Sequence, residues 1–280
     1  STSFSYINTS NTDDENIISC FSNLDVPIIQ LICSTNSSIN WRKSSVGLNP
    51  LDLSLQVVLP EIDGRIITRP CAFKNKYLND KNLDTNLSKL EPYKEGINWI
   101  NEYVLNILAL RYKDNSQKKV TIVLANYPVK NGRIANGVGL DTPQSVIEII
   151  HWLKEEGYYL GDFRLPSDGN EMIDLLLSGR TNDVESKYKN PLTYLNLDEY
   201  HKWWDRLSIK AKDSITKRWG EPKNCEDLED DKFPIIGCRF GNISILIQAN
   251  RGYESDNLSD LHSPDLPPTH KYIAQYFWLN

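Results

Sequence analysis

The run Val120-Thr121-Ile122-Val123-Leu124-Ala125 is short, apolar and rich in β-branched residues, and a strongly marked helix follows it across a glycine-containing loop. Thr142 is placed to cap that helix and Pro143 suits its first turn. Val146, Ile149, Ile150 and Leu153 recur on one face, and Gly157 ends it. A buried strand feeding an amphipathic helix has to fold the helix back onto a sheet. The chain is thereby restricted to a layered α/β core.

The rest of the chain is read against that unit. Residues 26–32 form an apolar run that predicts another buried strand. Asn49-Pro50 opens a helix to about residue 59, with Leu51, Leu55 and Val58 on one face. Residues 60–65 read as a turn, 65–73 as extended chain, and 74–91 as a charged, Asn-rich connector. A helical period returns over 92–112 through Ile97, Ile100, Val104, Ile107, Leu108 and Leu110. Further on, 172–177 predicts a short helix and 180–196 a loop. Asp198 and Ser208 are placed to cap two helices carrying Trp203, Trp204 and Trp219, which read as core aromatics. Residues 221–232 are acidic and read as exposed. Gly241-Asn242, between two apolar runs, fits a two-residue hairpin turn. A polar loop follows, and a last helix starts near Tyr272. The expectation is an α/β protein of layered sheet-and-helix lobes with a β-hairpin. Residues 1–90 would be the end of one lobe plus an extended connector. Residues 91–280 would be a second lobe, with a helical insert near 170–220 and the hairpin near 234–249.

Composition excludes several classes. Of 280 residues, 40% are hydrophobic and 24% charged, a globular balance. No apolar run approaches the roughly 20 residues that span a bilayer. With 31 Lys+Arg against 37 Asp+Glu, a net charge of -6 and no basic block, neither nucleic acid nor an anionic membrane is expected as the main partner. Cys20, Cys33, Cys71, Cys225 and Cys238 are scattered without a C-x-x-C pair, which fits reduced thiols in a cytoplasmic protein. The start STSFSYINTS has no Met and no leader pattern, so the chain reads as an internal piece of a longer protein.

Chemistry concentrates in three places. The first is the loop 126–141 behind the strand, since open α/β sheets bind ligands at the carboxyl ends of their strands. It is no dinucleotide loop: a third glycine would be needed at position 142, which is Thr142, and no P-loop occurs elsewhere. Asp141 further sets a carboxylate where a phosphate would have to sit. Residue types alone leave open a simple Gly-rich turn with Arg133 solvated. The second place is 248–270, QANRGYESDNLSDLHSPDLPPTH, with His262, His270, Arg251, Glu254 and several Asp residues. Such a set suits metal binding or proton transfer near neutral pH, although the H-x7-H spacing matches no metal signature and surface histidines would look the same. The third is Pro60-Glu61-Ile62-Asp63-Gly64-Arg65, a carboxylate pair at a turn or merely an Asx-type turn. His151 and His201, on helices, read as structural or solvated.

Several long motifs stand together: LDVPIIQL, GLNPLDLSLQVVLPEIDGRI, VLANYPVKNGRIANGVGLDTPQSVIEII, a Trp-Gly-Glu-Pro after two helices, FGNISILIQANRGYE and LHSPDLPPTHKYIAQYFWL. In this order they resemble the CobN-type cobaltochelatase large subunits, in the family that also holds the magnesium chelatase large subunit. The resemblance runs from about Leu24 to the end, and GRIANGVGLDTP favours the cobalt branch. It implies the tetrapyrrole-binding part of an ATP-dependent ligase that inserts Co2+, as substrate, into hydrogenobyrinic acid a,c-diamide during aerobic cobalamin synthesis. ATP would be hydrolysed on partners, an AAA+ ATPase subunit and a subunit with an integrin-type metal-binding domain. The family's next segment, His- and Gly-rich, would begin beyond Asn280, so the piece alone is expected to be inactive.

Carried over by motif, the implied substrate-binding residues are Glu61, Asp63, Arg133, Asn136, Gly137, Gly139, Asp141, Gln248, Arg251 and Tyr253. His270, His262 and Glu254 are the implied catalytic groups, with His262 and His270 also as metal ligands. The stretches behind the central strand and behind the hairpin would converge on one ring-sized cavity. The alternatives are a magnesium chelatase subunit acting on protoporphyrin IX, or a non-catalytic α/β docking module on the same scaffold.

Overall fold

The structure, a computed structural model, describes residues 26–44, 46–80, 85–126, 131–252 and 265–280. Its contacts divide the chain into two compact units, Ser1–Tyr112 and Lys113–Asn280. The helix Lys94–Tyr112, which sequence reading joined to the second lobe, packs on a strand of the first unit.

The first unit is built on a three-stranded sheet. β1 (Ile29–Ser34) pairs parallel with β2 (Ile66–Asp80), and β2 pairs antiparallel with β3 (Thr85–Pro92). The expected connector over 74–91 is therefore half of a long ribbon. Its residues 85–90 are all exposed, so no buried face announces the strand in sequence. Between β1 and β2 lie α1 (Ser38–Lys43) and a continuous helical run: α2 (Pro50–Leu53), a π-helical stretch (Ser54–Val58) and α3 (Leu59–Ile62). Asn49 caps this run by accepting from Asp52 N at 2.9 Å. Leu51, Leu55 and Val58 share the predicted spacing but are exposed within the unit. What holds the run is polar. The buried Asp52 carboxylate accepts from Ser34, from Thr35 backbone and hydroxyl, and from the side-chain amides of Asn49 and Gln56, all at 2.7–3.1 Å. A buried charge is tolerable when its lone pairs are filled in this way. α4 (Lys94–Tyr112) seats Ile100 in the core, while Leu108 and Leu110 of the expected stripe are exposed.

The second unit is a three-layer α/β structure. β4 (Val120–Leu124) pairs parallel with β8 (Ile243–Ile247), and β7 (Gly237–Phe240) pairs antiparallel with the other edge of β8. Phe240 faces Ile243 across Gly241-Asn242, the two-residue turn read from the sequence. All five residues of β8 are buried, as expected of a central strand covered on both faces. Successive residues point to opposite faces. Leu124, Ile243, Ile245 and Ile247 enter one apolar cluster with α5 (Thr142–Glu155) and α6 (Gly169–Ser178). Leu246 enters the other, with α7 (Leu197–Trp204), α8 (Ile209–Trp219) and α9 (His270–Leu279). A small ribbon of β5 (Thr193–Asn196) and β6 (Lys232–Ile235) adds to the second cluster. The predicted run from Pro234 is thus split between two sheets. Gly237, at φ +146°, makes the break, and no side chain fits there because a Cβ would lie 2.2 Å from the Ile245 carbonyl oxygen.

Three local expectations shift. Asp141, rather than Thr142, caps α5, accepting from Gln144 N at 3.1 Å. α7 starts at Leu197, ahead of Asp198. Residues 180–196, expected as loop, hold a 3-10 turn and strand β5.

Candidate functional site at the carboxyl edge of the central sheet

β4 and β8 are in register from Val120↔Ile243 to Leu124↔Ile247, so both end at the same edge of the sheet. The chain leaves β4 for α5 on one face and leaves β8 for α9 on the other. α5 runs back along the sheet, since Tyr159 just past it accepts from Asn242 N at the start of β8. Both helices therefore begin at the carboxyl edge, on opposite faces. Such a reversal opens a crevice beyond the strand ends.

The strand ends are tied together there by amides. Gln248 N donates to Leu124 O at 2.8 Å, and Ala135 N donates to Ala125 O at 2.8 Å. Asn182 Nδ2 donates both to Asn126 Oδ1 and to Gln248 O, each at 2.8 Å, and Asn182 Oδ1 accepts from Asn250 N at 3.3 Å. One side chain thus staples the exits of β4 and β8 to the segment after α6. Next to it, Thr181 Oγ1 donates to Asn131 Oδ1 at 2.8 Å, and Asn131 Nδ2 donates to Asp183 Oδ2 at 3.0 Å. On α9, Gln275 Oε1 accepts from Ala249 N at 2.7 Å and Nε2 donates to Ile247 O at 3.1 Å. Gln248 Oε1 accepts from Tyr276 OH at 3.0 Å.

A cavity of about 650 Å³ opens beside this staple. Its walls are the 180–187 segment, the end of α8, residues 224–227, Asn250, Gly252 and the start of α9. Ligand pockets of small molecules fall in the same size range, about 300–1,000 Å³. The buried Arg180 forms a forked ion pair with Glu229, Nη1 to Oε2 at 2.8 Å and Nη2 to Oε1. That pairing draws the Glu229 carboxyl below its ordinary range and the Arg180 guanidinium above its own. Glu229 belongs to the stretch expected to be merely exposed.

The sequence-predicted residues are placed as follows. Asp63 is an internal ion-pair partner of Arg65 at 3.0 Å, with both side chains almost fully buried, while Glu61 is exposed. Arg133, Asn136 and Gly139 lie exposed in the loop behind β4, Gly137 is half-buried there, and Asp141 is the exposed cap of α5. None of these lines the cavity, whose walls come from the 180–187 segment, α8, residues 224–227 and the start of α9. Gln248 stands at the crevice, and Arg251 lies 5.5 Å from the Tyr272 ring. Tyr253, Glu254 and His262 lie outside the described residues.

His270 is fully buried. Its Nε2 is 2.9 Å from Gly220 O and its Nδ1 is 2.8 Å from Tyr200 OH. A carbonyl can only accept, so Nε2 carries the proton and Nδ1 accepts from the tyrosine. Both nitrogens are thereby engaged, and neither offers a lone pair to a metal ion in this arrangement. Burial lowers the imidazole pKa and raises that of the Tyr200 phenol, so both stay neutral. Among the described residues no group of three or more His, Cys, Asp or Glu side chains is placed to hold a metal. Asn126, Arg180, Asn182 and Lys271 are the polar groups that motif reasoning passed over. For Arg180 and Asn182 the sequence signal was the run Arg180-Thr181-Asn182-Asp183, polar residues without periodicity, whereas Asn126 and Lys271 stand inside the motifs quoted above.

A parallel strand pair with helices departing to opposite faces and an amide-stapled crevice at its carboxyl end defines a doubly wound α/β unit. Comparison with known proteins narrows this further. The family model described as CobN/Magnesium Chelatase matches residues 1–280, and the chain belongs to that family. The aerobic cobaltochelatase subunit CobN of Pseudomonas aeruginosa is 39% identical over 256 residues, covering 91% of this chain and 20% of the relative. The chloroplastic magnesium-chelatase subunit ChlH of Oryza sativa subsp. indica is 24% identical over 265 residues, covering 94% of this chain and 18% of the relative. Among solved structures, the catalytic subunit of cobaltochelatase from Mycobacterium tuberculosis matches with a TM-score of 0.77 and 32% identity, over 92% of this chain and 21% of that one. The chain thus spans about a fifth of the length of the relatives it matches.

Proposed function

We propose that this chain is the tetrapyrrole-binding part of a cobaltochelatase large subunit, which inserts Co2+ into the corrin precursor hydrogenobyrinic acid a,c-diamide in the cytoplasm. The observation that carries the reading is the crevice at the carboxyl edge, where one amide staples two strand exits beside a cavity of about 650 Å³. The greater identity to the cobalt-branch relative than to the magnesium-branch one supports cobalt over magnesium.

The chemistry sets two demands. Hydrated Co2+ has to shed water, and the ring has to lose its inner N–H protons. In this chain Asn182, Asn126 and Gln248 fix the crevice, while the ring's periphery is held by the polar groups around it. Arg133, Asn136 and Asp141 on the loop behind β4, with Glu254 and His262 behind the hairpin, remain the proposed substrate and proton-transfer groups. Buried and doubly bonded, His270 acts in this scheme by fixing the start of α9. ATP is hydrolysed on partners, an AAA+ ATPase and an integrin-type subunit. Asp141 as the cap of α5 agrees with that division, because its carboxylate fills the place a phosphate would take. Titrating the full-length subunit with the corrin precursor, followed by tryptophan fluorescence, tests the reading. Saturable quenching is expected, and its absence rejects tetrapyrrole binding.

A further inference from the structure

Lys271 sits where the helix dipole disfavours a cation. It is the second residue of α9, at the positive end of the helix dipole, and no acidic residue stands in that first turn. Its side chain is only 11% exposed. Its ion pair to Asp227 Oδ1 spans 3.5 Å, longer than the ~3.2 Å limit of a good N–H···O bond. Asp227 itself is half-buried, its side chain 35% exposed.

The neighbouring charges do not share this condition. Arg180 is held in its forked pair with Glu229. Asp183 spends Oδ1 on Glu185 N and Oδ2 on the Asn131 amide. Lys187 and Glu226 are exposed, as is Arg218, which lies 4.3 Å from the Trp219 ring. The Trp219 indole is a fixed wall of the same cavity. Trp219 Nε1 donates to Pro267 O at 2.8 Å, and Gly252 lets the backbone touch the ring, since a Cβ there would come within 2.4 Å of it. The cavity therefore offers an anchored aromatic surface and one mostly buried cation, whose ion pair to Asp227 is long and whose charge also acts on Glu229.

We propose that this cavity takes a carboxylate-bearing side chain of the macrocycle, pairing it with Lys271 Nζ while its hydrocarbon stem lies against Trp219. The inference rests on the tetrapyrrole reading above, and the test separates the two. The full-length subunit is titrated with cobyrinic acid, a corrin with carboxylate side chains, and with cobinamide, whose corresponding side chains are amides. The wild type should prefer the carboxylated corrin by about tenfold, the worth of one charge-assisted pair. Lys271→Gln should erase that preference, and Lys271→Arg should restore most of it. Because an ion pair is screened, the wild-type preference should also shrink as salt rises, a readout that needs no variant. A preference retained in Lys271→Gln, a salt-independent preference, or equal binding of both corrins overturns the carboxylate site and leaves the tetrapyrrole reading standing. Binding of neither corrin removes both.

Discussion

Replacing Tyr200 by Phe deletes one oxygen from a fully buried site. The ring keeps its neighbours, with centroids 4.9 Å from Phe233 and 5.0 Å from Phe277, so packing is nearly unchanged. His270 Nδ1 loses the donor now 2.8 Å away, while Nε2 stays committed to Gly220 O. Leaving one buried acceptor unpaired costs about 1–3 kcal/mol. For a unit of this size each kcal/mol moves the melting temperature by about 2–4 °C, so a drop of about 2–12 °C is expected at pH 8. Calorimetry at several pH values adds a signed check. Burial holds the folded-state His270 pKa below its ordinary 6.5, although the Gly220 carbonyl and Glu221 oppose the shift. As pH falls through that value the unfolded chain takes up the proton first. The contribution of His270 is thus complete above 6.5 and lost progressively below it, and the wild type should melt lower at pH 5.5 than at pH 7.5. A Tyr200→Phe protein melting within about 1 °C of wild type at pH 8 would refute the pairing argument.

Two further substitutions probe the scaffold of the crevice. Gly237→Ala forces a Cβ to within 2.2 Å of Ile245 O at a φ of +146°, and should lower stability by about 3 kcal/mol or more in urea unfolding. A wild-type midpoint would show that the strand break tolerates a side chain. Asp141→Ala removes the cap on Gln144 N and should cost about 1 kcal/mol by the same assay. Unchanged stability would mean the carboxylate contributes nothing as a cap.

The sequence made the second unit far more legible than the first, for physical reasons. β4, α5 and the β7–β8 hairpin carry signals that are local and redundant: an apolar run, a Pro in the first turn, a Gly-Asn turn. β3 carries none, because residues 85–90 are exposed throughout and no alternation marks a face. The helical run 50–62 was found, but its stabilising feature was missed. Spacing pointed to Leu51 and Leu55, whereas the bonds converge on Asp52. The site divides in the same way. Glycines and charges in motif-bearing loops attracted attention, and several of them serve as caps or turns. The residue that organises the crevice, Asn182, bonds across 56 and 66 positions of chain, a separation no local pattern encodes.

That long-range bonding also bears on how the site can respond to a ligand. Asn182 Nδ2 holds Asn126 and Gln248 together, and its Oδ1 takes Asn250 N. The exits of β4 and β8 and the 180–187 wall of the cavity thus share one side chain. Each of the three leads to a different element: α5 beyond the first exit, the start of α9 beyond the second, and the Arg180–Glu229 pair within the wall. A group entering the cavity and drawing Lys271 away from Asp227 acts on the turn that Thr269 caps, and Thr269 Oγ1 donates to Asn250 O at 2.9 Å. Asn250 is also the residue whose N–H holds Asn182. The connection from an anion in the cavity to the loop behind β4 is therefore a short chain of named hydrogen bonds, Thr269 to Asn250 to Asn182 to Asn126. Were the cavity to take a carboxylate as proposed, this chain of bonds is the route by which it would reach the loop bearing Arg133 and Asp141, residues that line no part of the cavity.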